Sequence, residues 1–358
     1  MVEEGKLTVD EALLLLEELE KSNRTMEEKQ KELVGELSTV VQSDGSSKYQ
    51  KSENNKSHSV KNKFFEFVDS AFQKIKDFDL DFNFGSAVEL SHVFQYGEVD
   101  IQSVNIDIAN GKVKMIPWDQ KDVRIECQAK IYREEKLEKA REIFLQNVDF
   151  TIEGGSLRFM TESKWIKLEA TLFIPQTDYD RVKVRIFNGP IETENIRAND
   201  FNVKTANGKI QIEGIKGNKV EAETANGAIS INRVVADKLE AETINGAIKI
   251  DGELKKVELQ AFNGNIVCSL NGAECNVVDV DATTGSIELY FPEELVLQGI
   301  LKTNLGSFKV DLEGMQVLEE KNEMVQKLLR FKPIVEVNKA TSISAETKTG
   351  IISIRKVK

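Results

Sequence analysis

The sequence predicts a mainly β protein: a right-handed parallel β-helix, or solenoid, of ~19-residue rungs with Asn-Gly corners, preceded by a small helical N-terminal region. Three observations predict it. The phrase V-E-A-E-T-A-N-G-A-I-S-I, beginning at Val220, returns as L-E-A-E-T-I-N-G-A-I-K-I at Leu239, 19 positions on. The same frame recurs around ten glycines: 111, 155, 189, 208, 227, 246, 264, 285, 306 and 350. Within each copy apolar or small residues alternate with polar ones, the period of a half-buried strand.

The frame places apolar or small residues seven, five and three positions before the glycine, and two and four after it. Gly227 gives Val220, Ala222, Thr224, Ile229 and Ile231; Gly246 gives Leu239, Ala241, Thr243, Ile248 and Ile250. From Gly189 to Gly306 successive glycines are 18 to 21 residues apart. Two architectures satisfy this. Asn-Gly between alternating strands is the strongest short hairpin signal, and predicts an antiparallel meander. The near-constant spacing favours the β-helix instead. There Asn188, Asn207, Asn226, Asn245 and Asn263 stack as a structural corner ladder with amides bonded from rung to rung. Glycine would supply positive φ at that corner, and Ile210, Ile229, Ile248, Ile266 and Ile287 would form one buried column.

Taken in order, residues 1–42 read as a helical N-terminal domain. Thr8 and Glu11 have capping-box spacing, and Leu13, Leu16 and Leu19 give an apolar stripe too short to be buried alone. Self-association through these helices is a further expectation. Residues 43–63, rich in Ser, Asn and Lys, read as a disordered linker. Residues 64–78 form the most amphipathic segment: Phe64, Phe65, Val68, Phe72 and Ile75 fall within roughly 160° of one helical face. That face either caps the β domain, as stacked repeats require, or meets a protein partner or a membrane surface. Residues 79–358 form the β-repeat domain. Its two 44-residue gaps between glycines carry expected helical insertions, near 134–147 and 316–331.

Composition narrows the function. The 358 residues carry a net charge of −12, so no nucleic-acid partner is expected. Cys127, Cys268 and Cys275 lack metal-ligand spacing and read as buried small hydrophobes. His58 falls in the linker and His92 in a strand phrase. No nucleophile elbow, Walker loop, zinc-protease or dinucleotide fingerprint occurs, so no catalytic, cofactor or metal residue is assigned and no enzyme is expected. The segment M-V-E-E-G-K-L-T has no signal-peptide pattern, which points to the cytoplasm, membrane-associated or not. Non-classical export to the cell surface is the alternative.

Four stretches resemble a known family: the N-G phrase, F-V-D-S-A-F-Q-K-I-K-D-F-D-L-D-F-N-F-G, H-V-F-Q and N-G-K-V-K-M-I-P-W. They are similar to the bacterial "putative adhesin" β-strand-repeat family of unknown function, within it to its LiaX/YvlB-like proteins. The stretch G-K-L-T-V-D-E-A-L-L-L-L-E-E-L resembles the helical domain those proteins carry. The resemblance implies a β-helix-like C-terminal domain. It also implies a non-enzymatic regulatory or binding role in the cell-envelope stress response, with protein partners of that system or peripheral membrane contact. A structural, adhesin-like scaffold binding a polymer or surface ligand is the alternative.

Overall fold

Inward-facing residues of successive phrases should share one core if the phrases stack, and they do. The computed structural model describes residues 86–357, apart from 312, 324, 336 and 338. Residues 1–42, 43–63 and 64–78, with Phe64, Phe65, Val68, Phe72 and Ile75, lie outside the described residues. So do residues 79–85 and His58.

The N-terminal end contains β1 (Ala87–Tyr96), β2 (Ser103–Trp118), β3 (Val123–Tyr132), α1 (Leu137–Asn147), β4 (Val148–Glu153), β5 (Ser156–Thr161) and β6 (Ile166–Pro175). The central rungs use β7 (Tyr179–Asn188), β8 (Ile191–Asn207), β9 (Ile210–Asn226), β10 (Ile229–Asn245), β11 (Ile248–Asn263) and β12 (Ile266–Leu270). The C-terminal end follows with β13 (Val277–Thr284), β14 (Ile287–Pro292), β15 (Leu297–Thr303), β16 (Ser307–Asp311), β17 (Met315–Asn322), β18 (Lys327–Pro333), β19 (Thr341–Thr349) and β20 (Ile351–Val357).

Central rungs pair in parallel and in register. Val220, Ala222 and Thr224 of β9 lie beside Leu239, Ala241 and Thr243 of β10, and Asn226 beside Asn245. The isoleucine column, Ile210, Ile229, Ile248, Ile266 and Ile287, is buried throughout. The rungs built by β8, β9 and β10 each bend twice. One bend is the Asn-Gly corner. The other falls at Asn195, Gly214 and Arg233, which share a left-handed φ of 49°, 82° and 53°. Beyond it Ile196, Ile215 and Val234 pair as a short third segment and point into the same core.

This parallel stacking replaces the hairpin meander. A type I′ turn needs positive φ at both central residues, and none of the corner asparagines has one. The Gly155 copy behaves differently. Gly154 and Gly155, at φ 55° and 75°, make a tight turn, so β4 and β5 form an antiparallel hairpin and this copy is not a rung.

Both ends of the fold depart from repetition. At the N-terminal end β3 pairs antiparallel with β1 and β6, and β6 runs parallel to the second half of β2. Helix α1 buries Ala140 and Phe144. Phe144 belongs to an aromatic cluster in which Phe94 contacts His92, Phe150 and Phe159 at centroid distances of 4.4, 5.3 and 5.9 Å.

At the C-terminal end the rungs stack out of sequence order. β19 pairs in parallel with β13 on one side and with β15 on the other; β20 lies likewise between β14 and β16. The last rung of the chain is thus the penultimate rung in space. The helix expected at 316–331 is absent: β17 and β18 form an antiparallel hairpin there, and β18 pairs with the outer edge of β15. That edge presents a row of backbone N–H and C=O groups, and an added strand satisfies them where a helix would not.

Candidate recognition surface

The corner is the most regular feature of the surface. Asn207 Nδ2 donates to Asn188 Oδ1 at 2.8 Å, and Asn226 Nδ2 to Asn207 Oδ1 at 2.9 Å. Asn245 donates to Asn226 at 2.9 Å, and Asn263 to Asn245 at 3.0 Å. Thr284 Oγ1 continues the row by donating to Asn263 Oδ1. A carboxamide suits this position because it carries a donor and an acceptor.

Beneath the asparagines runs a glycine column that follows spatial order, from Gly111 through Gly189 and Gly285 to Gly350 and Gly306. A Cβ on Gly227 would lie 2.0 Å from the Gly208 carbonyl oxygen, and one on Gly246 would lie 1.9 Å from that of Gly227. Close backbone approach therefore demands glycine along the whole column. Left-handed φ does so only at some members, such as Gly189 at 140°. This corrects the expectation that positive φ is the general cause.

A third ladder lies inside the corner. Thr205, Thr224, Thr243 and Thr347 each donate Oγ1 to the glycine carbonyl of the neighbouring rung, at 2.9 Å. Sequence reasoning counted these threonines as small residues filling an inward position. The missed signal was a polar residue recurring in a buried frame.

On one sheet face the outward acids neutralise themselves. Lys238 pairs with Glu240 and, at 3.1 Å, with Glu258; Lys219 pairs with Glu221 and, at 3.7 Å, with Glu240. Lys204 reaches Glu223 at 2.8 Å. Burial opposes ionisation of Glu221. The hydrogen bonds from Glu240, Lys219 and Asn202 outweigh it and hold its carboxyl down at about 2. Burial and the hydrogen bond to Glu221 push its neighbour Glu240 upward.

The remaining chemistry-bearing residues stay separate. His92 is half-buried in β1 against Phe94 and Phe144. Cys127, Cys268 and Cys275 are free and buried, and burial raises the Cys127 thiol to about 12. Among the described residues no group of three or more His, Cys, Asp or Glu side chains is placed to hold a metal. None of their helices is long and apolar enough to cross a membrane.

Apolar exposure marks the two ends. Val93 and Tyr96 of β1 and Leu137 and Leu145 of α1 are exposed at the N-terminal end. At the C-terminal end Val317, Leu318, Ile334, Val335 and Val337 are exposed beside an open groove lined by Val296, Leu297, Met315 and Lys356. In the central rungs Val235 is the single described large hydrophobic side chain exposed in this way.

The repeat is also recognisable by comparison. The Toastrack DUF4097 family model matches residues 98–354, from just after β1 into β20. This chain belongs to the Toastrack DUF4097 family. A model of a SHOCT-like domain matches residues 1–24. The chain is 44% identical over 355 residues to the uncharacterised protein YvlB of Bacillus subtilis (strain 168), covering 99% of this chain and 96% of YvlB. Solved structures similar to this Toastrack chain include a "putative adhesin" from Bacteroides fragilis NCTC 9343. It is 12% identical with a TM-score of 0.38, over 75% of this chain and 97% of that one. Another is a "putative lipid binding protein" from Parabacteroides distasonis ATCC 8503, 14% identical with a TM-score of 0.36, over 75% and 97%.

Proposed function

We propose that this Toastrack protein is a non-enzymatic binding and regulatory protein of the bacterial cell-envelope stress response. It acts through protein or membrane contacts, from the cytoplasm and in association with the membrane. The observation that carries the binding reading is the contrast between faces and ends. Acids on the central face are paired with lysines and with one another, whereas exposed large apolar side chains gather at the two ends. Exposed apolar clusters are where partners bind. The stress-response context is supported by the family resemblance of the N-G phrase and the N-terminal stretch.

The test is genetic. A deletion strain and its parent, each carrying a reporter of the envelope-stress promoter, are exposed to a cell-wall-active antibiotic. The reading predicts an altered reporter response in the deletion strain; identical responses overturn it.

The periodic array of Glu221, Glu240 and Glu258 along one face favours a second reading, an adhesin-like scaffold that binds a polymer along its rungs. Surface exposure of the protein without induction under envelope stress would select that reading.

A further inference from the structure

The connection from β18 to β19 carries the most exposed large aliphatic side chains of the described fold, Ile334 at 64% and Val335 at 71%. Val337 follows in the same connection. The adjacent strand adds Val317 and Leu318, close by because Met315 of β17 pairs with Pro333 at the base of the connection. Lys332 and Lys339 bracket this apolar tip. Both are exposed, and neither is in an ion pair among the described residues.

Acids are present but mostly set back. Glu319 is engaged by Lys321 at 3.3 Å and Arg330 at 3.8 Å. Glu320 lies opposite Leu329, roughly 15 Å along the strand from Met315 at strand rise. Glu313 lines the groove, and Glu336 stands between Val335 and Val337 in the sequence.

An apolar tip between two unpaired cations matches the layering of an anionic bilayer, with acyl chains beneath a plane of phosphates. A second copy of the same surface fits worse, because a two-fold contact would bring the same exposed lysines against each other. We propose that Ile334, Val335 and Val337, in the connection from β18 to β19, form a membrane contact. Ile334, Val335 and Val337 enter the acyl layer of an anionic bilayer, and Lys332 and Lys339 sit on its phosphates. This rests on the membrane arm of the function proposed above.

Flotation of the full chain tests it, with vesicles of phosphatidylcholine alone or mixed with phosphatidylglycerol. Three double variants accompany the wild type: Ile334→Asp with Val335→Asp, Lys332→Gln with Lys339→Gln, and Phe65→Ser with Phe72→Ser. The loop side chains are exposed, so their variants keep the wild-type melting temperature. The wild type is expected to float only with anionic vesicles, and the aspartate pair to stay at the bottom. The glutamine pair should bind about 25-fold more weakly, roughly fivefold for each basic residue lost at an anionic surface.

A wild type that fails to float overturns the loop. So does an aspartate pair that floats like the wild type. If only the phenylalanine pair loses flotation, the loop fails while membrane association stands. If the loop variants lose flotation but the reporter strain responds like its parent, the loop stands and the stress-response reading falls.

Discussion

At the corner each residue type answers a separate physical demand, and substitution separates the three. Gly227 has no room for a methyl group, because its Cβ would meet the Gly208 carbonyl oxygen at 2.0 Å and its carbon at 2.5 Å. Neither atom yields unless the rungs part, so Gly227→Ala should cost about 3 kcal/mol, at the upper end of ordinary overpacking. Thr224→Val keeps the shape but removes the hydrogen bond to Gly208, and should cost about 1 kcal/mol. Urea unfolding of both variants checks the order; a Gly227→Ala protein as stable as Thr224→Val would refute the steric account. The Glu221–Glu240 pair makes a pH prediction. A carboxyl raised in the folded state, as Glu240 is, stabilises the fold below its unfolded value and loses that contribution as pH rises through the folded value. Glu240→Gln removes this term and retains a donor toward Glu221. Its melting temperature relative to wild type should therefore rise from pH 4 to pH 8. A constant or falling difference would show that Glu240 does not carry the raised carboxyl. The asparagine ladder was legible in the sequence because five asparagines hold one frame position. The threonine ladder was not, since Thr passes equally for a small filler.

Elements were legible where the local pattern and the tertiary demand agree. The alternation of β8 to β11 exposes one face to water and buries the other, so period two alone places Ile210, Ile229 and Ile248 in the core. The stretch L-E-E-K-N-E-M-V-Q-K-L-L-R has good helix formers and helical spacing, yet its described residues lie in β17, β18 and the turn between them. The open edge of β15 recruits β18, and Leu329 and Phe331 then point inward with period two. Propensity yields to an edge that needs hydrogen bonds, and no residue within the stretch announces that edge. The apolar tip after it was equally hidden. Ile334, Val335 and Val337 are ordinary strand formers until the fold leaves them in solvent. Helix α1 shows agreement between levels. Its Phe144 is fully buried among Phe94, His92 and the core, whereas Leu145, one position on, is exposed. Phe144→Ala should cost about 3–5 kcal/mol, and Leu145→Ala less than about 0.5 kcal/mol. Hydrogen exchange over residues 137–147 should accelerate in the first variant alone. Equal protection in both would mean that α1 does not depend on this anchor.

For the whole molecule the decisive feature is the rung that arrives last and sits inside the stack. β19 and β20 supply partners to four strands, β13, β14, β15 and β16. The pairing of Val277 with Ser342 joins residues 65 positions apart (342 less 277). Until residues 341–357 emerge, the edges of β13 and β14 face water with unpaired backbone and apolar inward residues. The rungs from β7 to β14 need only neighbours about one rung away in sequence, whereas β2 reaches β7 across 78 positions, from Ser103 to Arg181, so closure by this rung should be one of two slow, non-local steps of folding. The rung also contributes Ile343, Ile352 and Ile354, all buried, each worth roughly 1.5–3 kcal/mol of burial. Thr341 Oγ1 adds a hydrogen bond to the Cys275 carbonyl at 2.7 Å. Their sum is comparable with the ~5–15 kcal/mol net stability of a domain. Removing residues 341–358 should therefore leave a chain that associates through its open edges. Light scattering after size exclusion should find it in larger assemblies than the full chain prepared identically. A peptide of residues 341–357 added during refolding should reduce that association, because it carries the side chains and backbone that fill the slot. A truncated chain that elutes and melts like the full chain would show that β15 can close directly on β13, and that the order of rungs in space is not what holds this end together.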